Sequence, residues 1–133
     1  MFLFHLTPAE RPAFVGLAKH LVIADDGQAP AETDALVRIQ EELGIPVSSL
    51  PALAPTSEVL GTFVSTASKA YVVLELVALA YADGLPHPAE MEVLKSVATG
   101  LGISELRLLE MEHWVVQQMA LTAEVKVFLT EEE

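Results

Sequence analysis

Two segments of this 133-residue chain repeat each other at an offset of 58 residues, without a gap. Residues 24–45 read ADDGQAPAETDALVRIQEELGI, and residues 82–103 read ADGLPHPAEMEVLKSVATGLGI. Nine of the 22 aligned positions are identical. Two copies are too few for a solenoid, which needs at least about three stacked repeats. The offset therefore predicts one domain made from two related helical hairpins.

Each copy carries the signals of a helix of about four turns. Pro30 and Pro88 suit the first helical position, where the missing N–H is no loss. Gly44 and Gly102 follow the last leucines and suit a left-handed C-terminal cap. Apolar side chains at helical spacing are expected to be buried alike in the two copies: Leu36, Ile39 and Leu43, and Leu94, Val97 and Leu101.

The remaining helices are placed by their caps. Thr7-Pro8-Ala9-Glu10 is a capping box, which predicts a first helix over residues 8–25. The proline-rich segment 46–55 reads as a connector, and a long central helix is expected over 56–82. A final helix begins after Ser104, and Thr122–Leu129 either extends it or forms a short extra helix.

These signals predict an all-α fold, a compact helical domain of about five main helices built from two repeated helix-loop-helix hairpins. The expected division is a single domain over 1–133, with repeat 1 at about 8–45, repeat 2 at about 58–103 and a C-terminal helix at about 104–130. Cysteine is absent, which excludes disulfides, zinc–cysteine sites and thiol chemistry.

Charge and hydropathy limit the partners. Nineteen acidic residues oppose seven basic ones, for a net charge of −12, so no nucleic acid is expected to bind. The most apolar stretch, Ala70 to Ala82, contains Glu75 and is shorter than the ~20 residues of a membrane span, so we predict a buried helix. The N-terminus has no basic region typical of a secretory signal, and a cytoplasmic location is expected.

The doubled pattern Ala-Asp-Gly, Pro-x-Glu, Leu-x-x-Ile/Val and Leu-Gly-Ile resembles the TerB-like (tellurite resistance protein TerB) family. Repeat 2 matches best; repeat 1 has Asp26 where repeat 2 has Gly84, and its glycine, Gly27, comes one position later. The resemblance implies an all-helical domain with pseudo-twofold organisation and a link to tellurite and chemical-stress resistance. It also implies acidic loop residues that bind metal, and no catalytic activity.

The acidic loops are the candidate metal sites: Asp25, Asp26 and Glu32 in repeat 1, and Asp83 and Glu90 in repeat 2. A tight hairpin would bring the aspartates, at the end of one helix, near the glutamate that begins the next. Carboxylate and carbonyl oxygens suit Ca²⁺ or Mg²⁺. In the alternative interpretation, each glutamate caps its own helix and each aspartate shapes a turn, with no ion.

No catalytic constellation is recognisable, so the chain is not expected to be an enzyme. Glu110 and His113 have Glu-x-x-His spacing, but a di-iron bundle needs two such copies and two more glutamates. The leading hypothesis is a non-enzymatic stress-associated protein whose loops bind a divalent cation. The alternative is a helical interaction scaffold without a metal site, which binds a protein partner or forms a homodimer. The face with Glu105, Glu110, Glu112 and Glu124 is expected to be solvated.

Overall fold

The computed structural model describes residues 2–24, 30–46 and 50–130, and these residues form helices and connecting segments with no strand. The elements are a 3₁₀ turn at Leu3–His5 and the helices α1 (Glu10–Ile23), α2 (Pro30–Leu43), α3 (Ser57–Leu60), α4 (Thr66–Ala80), α5 (Pro88–Gly100) and α6 (Glu105–Leu129). The all-α prediction is confirmed for this part of the chain. Five helices are long, and α3 is a single turn.

Helix α4 forms the centre of the bundle. It contacts α1, α2, α5 and α6, and it buries residues on most of its sides, as its apolar sequence predicts. Phe14 and Leu17 of α1, Leu76 of α4 and Leu94 of α5 are fully buried in one continuous core. Within the described ranges, no helix combines the length and apolar character that crossing a bilayer requires.

Local signals fix most helix ends where the sequence predicts them. The Thr7 N–H donates to Glu10 Oε1 at 2.9 Å, which forms the predicted capping box at the start of α1. The Ser104 side chain caps α6 by accepting from the Arg107 N–H. Gly44 and Gly102 have φ of 68° and 77°, in the left-handed region that glycine tolerates best. Both predicted C-terminal caps are therefore confirmed.

The predicted single central helix over 56–82 is wrong, because α3 and α4 are separate helices. Gly61 ends α3, and Ser65 starts α4 by accepting a hydrogen bond from the Ser68 N–H. Between them, Phe63 is fully buried in the core. A straight helix would fix the direction of residue 63, whereas the break allows its ring to enter the core.

The two hairpins differ in how completely their second helices are covered. Ile39 and Leu43 of α2 are buried, as are their counterparts Val97 and Leu101, but Leu36 is only half-buried while Leu94 is fully buried. The prediction of equal burial is therefore wrong for Leu36 and Leu94. Helix α5 packs against α1, α3, α4 and α6, whereas α2 packs against α1, α4 and the 3₁₀ turn. The side of α2 that faces α6 lines an open groove instead.

Candidate functional site

The five predicted metal ligands occupy different environments. Asp25 and Asp26 lie outside the described residues. Glu32 is buried in the first turn of α2, and Glu90 is buried in the first turn of α5. Asp83, which follows α4, is exposed. In repeat 2, the two carboxylates thus differ: one is enclosed by the protein and the other faces solvent.

Glu90 caps its own helix. Its Oε1 accepts from the His87 N–H at 2.9 Å, and His87 Nδ1 accepts from the Ala89 N–H at 3.0 Å. This reciprocal capping box matches the interpretation of Glu90 without an ion. The side chain is 1% exposed, and its Oε2 has no hydrogen-bond partner among the described residues. The cap therefore uses one oxygen of the carboxylate and leaves the other unpaired among these residues.

The tripeptide Pro-Ala-Glu forms the first three residues of α2 and α5 and ends at the first residue of α1, and its glutamate is buried each time: Glu10, Glu32 and Glu90. Glu10 Oε1 accepts two hydrogen bonds, from the Thr7 N–H and from the Ser68 hydroxyl, both at 2.9 Å. Glu10 and Ser68 are 58 positions apart, the offset of the two motif copies. The shared tripeptide is the signal in the sequence that links the start of α1 to the starts of α2 and α5.

The residues of the α4–α5 loop fit a cation only in part. Glu90 offers one free oxygen, while the carbonyl oxygen of Tyr81 already accepts from the Gly84 N–H at 3.1 Å. No group of three or more histidine, aspartate or glutamate side chains with metal-site geometry occurs in the part of the chain that the structure describes. Bound water would have to complete the coordination of any ion here.

An open groove of about 680 Å³ runs between α2, α4 and the second half of α6. Leu79 and the buried Glu75 form part of its floor, and Arg38, Glu42 and Lys126 line its sides. The carboxylate of Glu75 accepts a hydrogen bond from the Phe2 N–H, which ties the start of the chain to α4. The groove thus combines an apolar floor with side chains of both charges.

The prediction of a fully solvated acidic face on α6 is wrong at Glu112. Glu105, Glu110 and Glu124 are exposed, but Glu112 is buried and accepts a hydrogen bond from the Tyr81 hydroxyl at 3.0 Å. Burial, this hydrogen bond and the negative charge of Glu112 together raise the pKa of Tyr81 above its ordinary value. The pair joins the end of α4 to α6.

We expect the Tyr81–Glu112 pair to make stability depend on pH in the alkaline range. Because the folded-state pKa of Tyr81 is raised, the contribution of the pair to the free energy of unfolding is fully present below the unfolded-state pKa of about 10. This contribution is lost as the pH rises through the folded-state pKa. Thermal unfolding should show Tyr81→Phe to be less stable by about 1–2 kcal/mol at neutral pH, because Glu112 loses its donor.

The difference between wild type and Tyr81→Phe should shrink above pH ~10. Tyr71→Phe is the matched control, because it removes the other tyrosine of the chain and leaves the Glu112 hydrogen bond intact. A constant difference between wild type and Tyr81→Phe from neutral to alkaline pH would contradict the expectation.

The second half of α6 exposes apolar side chains. Among the described residues, α6 buries only Leu108, Glu112 and Val115, all in its first half. Beyond Val115, Met119 is partly buried against the core, and the other large apolar residues are exposed: Val116, Leu121, Val125, Val127, Phe128 and Leu129. We call residues 116–129 the α6 tail. Of the two possibilities for Thr122–Leu129, an extension of the final helix or a short extra helix, the structure shows the extension, because α6 is one continuous helix.

No protein-family model, curated protein or solved structure matches the chain. The resemblance to the TerB-like family therefore stays a prediction carried by the two motif copies.

Proposed function

We propose that this protein is a helical interaction scaffold whose contact surface is the α6 tail. The observation that carries the proposal is the exposure of Leu121, Val125 and Phe128 on a helix that continues beyond its own core. Monomeric proteins rarely expose contiguous apolar patches of more than a few hundred Å², and larger ones mark interaction sites. A covering partner would remove these side chains from water.

Local charge supports the same proposal. The chain carries a net charge of −12, but the segment 114–130 contains one acid, Glu124, and one base, Lys126. The tail is thus a neutral region of a strongly acidic protein. Charged residues are depleted at the centres of protein interfaces, where burial would cost their hydration.

Site-specific photo-crosslinking in cells of the source organism tests the proposal. A photoreactive amino acid at Leu121 should give a discrete crosslinked product, because that position lies on the α6 tail. The matched control is the same amino acid at Lys95, an exposed position on α5. Equal crosslinking at the two positions, or no product at either, would contradict an interaction surface on α6.

A second candidate function is binding of Ca²⁺ or Mg²⁺ in the α4–α5 loop, favoured by the buried Oε2 of Glu90. Asp83 and water would supply the remaining oxygens, and Asp25, Asp26 and Glu32 are the corresponding residues of repeat 1. With so few carboxylates, the dissociation constant should lie near ~10⁻⁴–10⁻³ M, as in weak calcium modules. A role in tellurite or chemical-stress resistance rests on the family resemblance alone.

Calorimetric titration with each cation tests the second candidate. Wild type should bind, whereas Asp83→Asn and Glu90→Gln should bind several-fold more weakly. Glu92→Gln is the matched control, since Glu92 is an exposed acid in the same helix as Glu90. If all four proteins respond alike, the loop does not bind the ion.

A further inference from the structure

Six residues of α6 follow the spacing of a coiled-coil seam. Their separations alternate between three and four residues, which places them on one face of the helix: Met111, Trp114, Gln118, Leu121, Val125 and Phe128. We call this face the α6 seam. Five of the six residues are apolar, and the last four apolar members are 41–83% exposed. Met111 and Trp114 at the head of the seam contact the rest of the chain, whereas Leu121, Val125 and Phe128 are exposed and have the pattern of a helix-packing face.

The head of the seam borders an apolar cavity of about 260 Å³. Phe2, Leu74, Met111 and Trp114 line it together with the charged pair Arg107 and Glu110, and the rings of Phe2 and Trp114 lie 6.0 Å apart. An apolar cavity of about 150 Å³ already holds a benzene ring. This cavity is thus large enough for a phenylalanine side chain.

The C-terminal end of the α6 seam carries a phenylalanine, Phe128. Phe128 is 83% exposed, the highest value of any seam residue. It lies fourteen positions after Trp114 in one continuous helix, which is about 21 Å along the axis. A rigid helix cannot bend back over this distance, so Phe128 cannot fill the cavity of its own chain.

A second copy in antiparallel orientation fills the cavity beside Trp114 and covers the exposed Phe128 at the same time. Leu121 lies seven residues from Trp114 and seven from Phe128, so a twofold axis through Leu121 places each Phe128 against the other copy's cavity. Such an isologous contact is reciprocal, as expected for a twofold dimer. A parallel pair would instead place Phe128 beside its own counterpart and leave both cavities unfilled.

The surface available is sufficient for a specific interface. At roughly 100 Å² for each large apolar side chain, the exposed seam residues and Leu129 offer on the order of 500 Å² per copy. The pair then buries about 1,000 Å², the lower limit for a specific protein interface. The segment 114–130 carries no net charge, so like-charge repulsion is small along the middle of the contact; Glu110 borders the cavity at one end, and three glutamates follow the segment in the sequence at the other.

We infer that two copies of this chain associate through antiparallel α6 seams, with Phe128 of each copy in the Phe2–Trp114 cavity of the other. This inference rests on the proposed function and names its partner as a second copy. Sedimentation equilibrium of the full chain should give twice the monomer mass of 14.3 kDa as concentration rises. A monomer mass at every concentration would overturn it.

Matched variants test which face of α6 forms the dimer contact. Leu121→Glu and Phe128→Glu should each raise the dimer dissociation constant by about tenfold or more. The controls Ala120→Glu and Val127→Glu add the same charge at neighbouring exposed positions, about 100° around the helix. They should stay dimeric. All four positions are exposed, so each variant should keep the fold, as circular dichroism can check. Equal effects of seam and control variants would overturn the inference.

Cysteine variants test the orientation, because the chain has no cysteine of its own. Under mild oxidation, Leu121→Cys should form a disulfide-linked dimer, since residue 121 meets itself at the axis. Thr130→Cys, at the end of α6, should not, because antiparallel helices hold the two ends far apart. A disulfide at Thr130→Cys would show a parallel pair and overturn the arrangement.

The photo-crosslinking product at Leu121 separates this inference from the proposed function. A product of twice the chain mass supports both. A discrete product of another mass, from a chain that sediments as a monomer, overturns the second copy and leaves the interaction surface in place. No product together with a monomer overturns both.

Discussion

Replacing Leu94 by alanine is expected to lower the free energy of unfolding by about 2–5 kcal/mol, the range for a fully buried leucine. Leu94 is 0% exposed in α5, where α1, α3, α4 and α6 surround the helix. The surrounding side chains can therefore collapse only partly into the space left by the shortened residue. Urea unfolding followed by circular dichroism measures the change, and its slope checks that the unfolded state is unaltered.

Leu36→Ala is the matched control for this prediction. Leu36 holds the equivalent position of repeat 1, but it is half-buried on a helix that borders the groove. Less apolar surface is lost there, so its cost should be below about 2 kcal/mol. Equal losses for the two variants would show that the two hairpins contribute alike to the core, contrary to the difference in burial.

Replacing Glu10 by alanine is expected to cost about 3 kcal/mol. Its Oε1 accepts from the Thr7 N–H and from the buried Ser68 hydroxyl, so the change removes an N-terminal cap and leaves a hydroxyl without its acceptor. Each such bond contributes about 1–3 kcal/mol when the group left behind is buried. Thermal and urea unfolding should show the loss as a lower midpoint.

Glu10→Gln keeps a carbonyl oxygen as acceptor, so it should recover at least half of that loss. Ser68→Ala removes the other partner, and the double variant Glu10→Ala/Ser68→Ala should be less destabilised than the sum of the single changes. Strict additivity would mean that the bond between α1 and α4 contributes nothing of its own.

Local features of the fold could be predicted from sequence, and tertiary ones could not. The capping box at Thr7 and the left-handed glycines 44 and 102 depend on neighbouring residues, and each lies where predicted. The break before Ser65 has local signals too, at Gly61 and Ser65, but the burial of the Phe63 ring beside it depends on tertiary packing. Apolar residues over 56–82 therefore suggested one helix where the core requires two.

The candidate sites also combine features that neighbouring residues predict with features that depend on the fold. The position of Glu90 in the first turn of α5 predicts a helix cap, and the hydrogen bond to the His87 N–H confirms it. Whether Glu90 Oε2 and Asp83 share an ion depends on the path of the loop, which the sequence does not specify. The apolar residues of the α6 tail look in sequence like those of any core helix. Only the fold shows that no α6 residue beyond Val115 is fully buried.

The groove beside α2 has a consequence for local unfolding. Helix α2 is open on the side facing α6, whereas α4 is enclosed by its neighbours. Segments with less tertiary burial open more often than the whole protein unfolds. The amide hydrogens of α2 should therefore exchange with solvent through local opening, while those of α4 should exchange only when the bundle comes apart. Each opening of α2 would bring Glu32 and Ile39 briefly into contact with water.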